Sequence, residues 1–153
     1  MSDFLKHECG IAAIRLLKPL SYFQDKYGSC LWGFNKLFLL MEKQYNRGQD
    51  GAGVGCVKLN MPLGQPYLFR TRDASKDALP NIFNGQIKKL NKKSRKGQLD
   101  LTDAEAVKRE FDYGGEILMG HLRYGTSGVF DEGSCHPYLR RTNWTTRTLM
   151  VLG

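Results

Sequence analysis

The 153-residue chain has no apolar run approaching 18 residues, which excludes a membrane-spanning helix of ordinary length. Its first residues lack a basic head followed by a long apolar block, so they do not read as a secretory signal. Histidine is scarce, with three residues, and no two of them stand at ligand spacing. The four cysteines, Cys9, Cys30, Cys56 and Cys135, are scattered and form no Cys-x-x-Cys. A structural zinc site is therefore not expected. Scattered cysteines without an export signal fit reduced thiols in a cytoplasmic protein. No internal repeat and no linker composition interrupts the chain.

What is present is ordinary globular composition: 41% apolar and 25% charged residues, enough for one domain with a real core. The net charge of +8 is concentrated. Lys88, Lys89, Lys92, Lys93, Arg95 and Lys96 supply six of those charges, and residues 88–96 hold no acid. No aromatic residue is interleaved with them, so the cluster offers no stacking platform for single strands. It reads as a solvated face, and no nucleic-acid or membrane partner is expected.

The stretch His7-Glu8-Cys9-Gly10-Ile11 leads into an apolar run, Ile11–Ile14, that reads as a short, fully buried strand over Gly10–Leu16. A thiol behind a short polar leader points to one chemistry. If Met1–Glu8 is cut off as a propeptide, Cys9 carries a nucleophile and a free α-amine on one residue. An α-amine titrates near ~7.7–8.0 and serves as a base at cellular pH. Thiol plus local base makes an activated nucleophile. On position alone, Cys9 also reads as a small buried hydrophobe.

Further along, residues 20–28 are amphipathic, irregular or briefly helical. A helix over Ser29–Tyr45 carries Leu31, Phe34, Phe38, Met41 and Tyr45 on one stripe and further apolar residues opposite, a pattern that predicts burial on both faces. The loop Asn46–Gly53 holds three glycines, which predicts unusual backbone angles or close approach. No Lys-Ser or Lys-Thr follows, so it is not a phosphate-cradling loop. Strands are expected over Val54–Leu59 and Gln65–Arg72. Two short helical pieces follow over Asp77–Gln86 and Ile87–Lys93. Thr102-Asp103-Ala104-Glu105 reads as a capping box with Thr102 as the cap. The strand Glu116–Leu122 delivers Arg123 and Tyr124 into a glycine-rich turn, and Arg147–Leu152 begins another strand. The helix–strand mixture is α+β.

Three ordered segments carry a resemblance: Glu8-Cys9-Gly10-Ile11, Arg47-Gly48-Gln49-Asp50-Gly51-Ala52-Gly53, and Gly120-His121-Leu122-Arg123-Tyr124-Gly125-Thr126-Ser127-Gly128. Together they resemble the class II glutamine amidotransferases, the N-terminal-nucleophile glutaminases, and are most similar to the amidophosphoribosyltransferases. The resemblance covers residues 9–153 as the first part of a glutaminase domain. It implies an αββα sandwich, here truncated: two antiparallel sheets face to face with helices outside. It implies hydrolysis of glutamine to glutamate and ammonia, which would aminate phosphoribosyl pyrophosphate in purine synthesis. Cys9 matches the nucleophile. Arg123 matches the arginine that grips the glutamine α-carboxylate, Thr126 a threonine that helps hold it, and Tyr124 an aromatic position beside it. Arg47 lies in the family's Arg-Gly-Gln loop, as a brace for the nucleophile region.

The asparagine and amide of the family's oxyanion hole, and the acid for the glutamine α-amine, would come after Gly153. Little turnover is therefore expected from this polypeptide alone. No cofactor is expected in this segment. Mg2+ would belong to the phosphoribosyltransferase domain, which would be a partner in a longer, homo-oligomeric form. Other amidotransferases, of the glucosamine-phosphate or asparagine synthase type, remain open. So does an inactive binding module using residues 88–96 on an anionic partner. His121 reads as a hydrogen-bonded core histidine, His136 as structural, and Cys30, Cys56 and Cys135 as packing residues.

Overall fold

A computed structural model describes residues 9–125 and 135–138. The elements run β1 (Gly10–Arg15), α1 (Leu20–Tyr27), α2 (Trp32–Glu42), a 3-10 turn (Tyr45–Arg47), β2 (Ala52–Val57), β3 (Leu68–Asp73), α3 (Ala78–Arg95), α4 (Ala104–Glu110) and β4 (Ile117–Leu122). The strands form one antiparallel sheet in the order β1-β4-β2-β3. α2 packs on β1 and β4, and α3 on β2 and β3. The α+β class is thus observed. The described residues build one sheet with helices on one face, and the second sheet of the expected sandwich is not among them.

The core lies between this sheet and the helices. Phe34 of α2 is its hub, 2% exposed, with ring centroids 4.5 Å from Phe83, 5.3 Å from Phe111 and 5.3 Å from Tyr113. Tyr113 buries its ring but keeps its hydroxyl satisfied by donating to Thr71 Oγ1 at 2.6 Å. Gln86 Nε2 donates to the same oxygen at 3.2 Å, tying α3 to β3.

Several sequence expectations need correction. β1 is not fully buried: Ile11 is 73% exposed and Ala13 is exposed, while Gly10 and Ala12 face the helices. The strand sits at the end of the sheet and is covered on one face only, so its apolar run does not report two-sided burial. α2 is shorter than the apolar pattern and buries a single stripe, Gly33, Phe34, Leu37 and Met41, leaving Leu39 and Leu40 half-exposed. Residues 78–95 form one helix rather than two. Pro80 falls in its first turn, where the missing N–H has no helical partner to lose.

The α4 cap lies one residue later than the capping box places it. Asp103 Oδ1 accepts from the amides of Glu105 and Ala106, both at 3.0 Å, while the Thr102 hydroxyl donates to Asp100 Oδ1 at 2.7 Å. Replacing Asp103 by Ala is expected to lower stability by about 1 kcal/mol, read as a shift in the urea midpoint, with Thr102→Ala costing less. The strand expected over Arg147–Leu152 and the leader Met1–Glu8 lie outside the described residues.

Candidate functional site

The alternation of the sheet fixes which side chains share a face. Leu118, Gly120 and Leu122 of β4 are buried under the helices, so Met119, His121 and Arg123 lie on the helix-free face. On β1, Cys9, Ile11 and Ala13 share that face. The register pairs Gly10 with Leu122 and Ile11 with His121, so the next step places Cys9 opposite Arg123. Cys9 is exposed and Arg123 is 7% exposed. A strand-end arginine on open surface is therefore not what is found: Arg123 is taken into the fold.

The glycine-rich loop closes on the same point. Arg123 N–H donates to Gly51 O at 2.8 Å and Asp50 N–H donates to Arg123 O at 3.0 Å, which extends the β2–β4 ladder past the strand ends. The Asp50 carboxylate accepts from Gly125 N–H at 2.8 Å, pinning the turn after Tyr124. Gly48 lies directly on the backbone of β4: a Cβ there would stand 2.7 Å from the Leu122 carbonyl. Only glycine allows this contact, so the close approach expected for the loop is observed. Gln44, between α2 and the 3-10 turn, donates to Ile11 O at 3.2 Å and holds the start of β1.

Of the residues singled out by sequence, Cys9 and Arg123 lie at the same end of the β1–β4 pair, with half-buried Tyr124 following directly. The backbone of Arg47 lies in the 3-10 turn that feeds the loop. The Arg47 side chain and Thr126 lie outside the described part. Asp50 and Gln44 were not singled out. The signal for Asp50 was its place inside the glycine loop, where a carboxylate can accept a backbone amide and fix a turn.

One row further along the same face, residues 135–138 cross β2 and β3. Arg72 Nη1 donates to Cys135 O at 3.0 Å and Arg70 Nη1 to Pro137 O at 3.4 Å. Arg72 and Arg70 lie opposite Gly53 and Gly55 in the register. A Cβ on Gly53 would overlap the His136 carbonyl. Two glycines facing two arginines are thus the readable signal for a backbone segment seated on the sheet.

His121 and His136 lie with ring centroids 4.9 Å apart, and the Tyr138 ring lies tilted against His136 at 4.2 Å. The expected hydrogen bond of His121 is not found: its Nδ1 meets no partner among the described residues. Burial first, then the nearby His136 and Arg123, lower its pKa below the ordinary 6.5. The unfolded chain therefore takes up this proton before the folded one. Stability is expected to fall as pH drops below about 6.5, until the folded imidazole itself titrates. Urea midpoints in which wild type loses more stability than His121→Gln between pH 7 and 5 check this; equal losses contradict it.

Cys30, Cys56 and Cys135 are buried, as packing residues should be. Burial pushes the Cys56 thiol up to about 12. Cys9 is the one exposed cysteine. Among the described residues no three His, Cys, Asp or Glu side chains gather to hold a metal, and no helix is long and apolar enough to cross a membrane. No protein-family model matches the chain, and no significant match is found among curated proteins or solved structures.

Proposed function

We propose that this chain is part of a class II glutamine amidotransferase, with Cys9 as an N-terminal nucleophile. The observation that supports this reading is the convergence at one sheet end. Arg123 and the Gly48–Gly51 loop are joined there by backbone contacts, and the β1–β4 register brings the start of β1, which Cys9 precedes, to the same end.

The chemistry follows from those groups. Removal of Met1–Glu8 frees the Cys9 α-amine. That amine takes the thiol proton, and the thiolate attacks the side-chain amide carbon of glutamine. The tetrahedral intermediate collapses to a thioester as the proton passes to the leaving ammonia. Water then cleaves the thioester to glutamate and restores the thiol. Arg123 binds the α-carboxylate through its planar fork, which sets the amide carbon against Cys9. In a longer protein the ammonia would pass to a synthase domain, and phosphoribosyl pyrophosphate is the acceptor favoured by the Arg47-Gly48-Gln49 and Tyr124-Gly125-Thr126 segments.

The test is covalent labelling with a glutamine-like diazoketone, followed by peptide mass spectrometry. The reading expects one adduct, on Cys9, slowed by added glutamine. Labelling spread over several thiols, or unaffected by glutamine, overturns it.

A further inference from the structure

Among the described residues the sheet ends on one side at β3. Lys58 N–H donates to Tyr67 O at 2.8 Å, which makes that opposed pair a hydrogen-bonded one. By alternation Phe69, Thr71 and Asp73 bond to β2, while the backbone groups of Leu68, Arg70 and Arg72 point away from it. Among the described residues, nothing bonds the outward groups of Leu68 and Arg70.

Alongside this edge runs a groove between β3 and α3, with a cavity of about 170 Å³ lined by Thr71, Asp73, Ile82, Gly85, Gln86 and Lys89. A second hollow shares Gln86 and Lys89 and runs on to Asp112 past Lys93, whose ammonium is already paired with Glu110, so the lysines free to select an occupant are those along the first groove. Gly85 sits inside the 18-residue helix α3, where glycine is the poorest helix former after proline. Beyond the helix's own backbone and its chain neighbours, no atom lies within 4 Å of a Cβ built on it. Packing therefore does not require glycine there; its effect is to keep the groove open.

We propose that this groove takes an extended acidic peptide, added antiparallel to β3 as a fifth strand of the sheet. The outward groups of Leu68 and Arg70 supply main-chain pairing, and the groove receives the side chains that point toward α3. Charge selects the occupant. Lys88, Lys89 and Lys92 are exposed along α3, and Arg70 lies on the strand itself. Self-pairing of two β3 edges about Arg70 or Arg72 would set arginine against arginine, which disfavours a second copy. A strand carrying glutamates on its face toward α3 sets opposite charges against these lysines instead.

Fluorescence anisotropy with a labelled nine-residue peptide alternating glutamate and valine tests this on the full chain. Two isomers, N-methylated on one or the other alternate set of amides, separate strand pairing from simple attraction. Binding should survive methylation of the outward edge and be lost on methylation of the edge facing β3. Gly85→Leu should weaken binding at least tenfold while leaving the melting temperature unchanged or higher. The proposal is overturned if the unmodified peptide does not bind, if both isomers bind or both fail, or if Gly85→Leu binds as wild type. Tighter binding of a uridine decamer also overturns it and assigns the lysines to nucleic acid.

Discussion

Arg123→Lys is expected to slow diazoketone labelling of Cys9 by roughly 100-fold while leaving its reaction with neutral iodoacetamide within about twofold of wild type. The two reagents divide the roles. The diazoketone must be held by its α-carboxylate, and the neutral reagent needs only the thiol. Lysine keeps the charge at this buried position but loses the bidentate fork. Losing two charge-assisted hydrogen bonds at about 1.5 kcal/mol each amounts to about 3 kcal/mol, or two orders of magnitude. If Arg123 only braces the β2–β4 ladder, its backbone bonds to Gly51 and Asp50 survive the substitution and both rates stay close together. Equal rates for the two reagents would remove Arg123 from substrate binding.

The second large effect concerns the other end of β4. Glu116, 7% exposed, pairs with Lys108 of α4, and its other oxygen accepts the Leu59 amide at 2.9 Å. Its carbonyl accepts Leu16 N–H at 2.7 Å. One residue thus ties β4 to the segments after β1 and β2 and to α4. Removing one partner of a buried pair strands the other charge, at a cost of about 3–5 kcal/mol. Glu116→Ala is therefore expected to lose at least about 3 kcal/mol in urea unfolding. Glu110→Ala, which breaks the exposed Lys93–Glu110 pair at 3.0 Å, should lose under about 1 kcal/mol. A Glu116→Ala loss no larger than that of Glu110→Ala contradicts this account.

Much of the candidate site was legible because its signals are local. A glycine-rich loop announces close approach, and Gly48 meets the β4 backbone as that rule requires. Arg123 was placed by the apolar strand that precedes it. That Cys9 and Arg123 fall at the same end of the β1–β4 pair was legible only through the resemblance, since register between strands more than 100 residues apart leaves no mark in local composition. The misread elements fail for one shared reason. Periodicity reports that a residue is apolar, not what covers it. Ile11 and Leu40 are apolar yet substantially exposed, because cover depends on where the element falls in the sheet or bundle. The continuous α3 holds both Gly85 and Pro80 without a break; one lines a groove and the other sits where a helix tolerates it. The segment 135–138 was not legible as part of this face, although Gly53 and Gly55 opposite Arg72 and Arg70 mark where it lies.

Intact-mass measurement of the purified chain beside its Cys9→Ala variant tests the central claim most directly. Self-excision predicts that the wild-type polypeptide begins at Cys9 and that the variant keeps the residues before position 9. A wild-type chain that retains those residues, or a variant that loses them equally, contradicts the account.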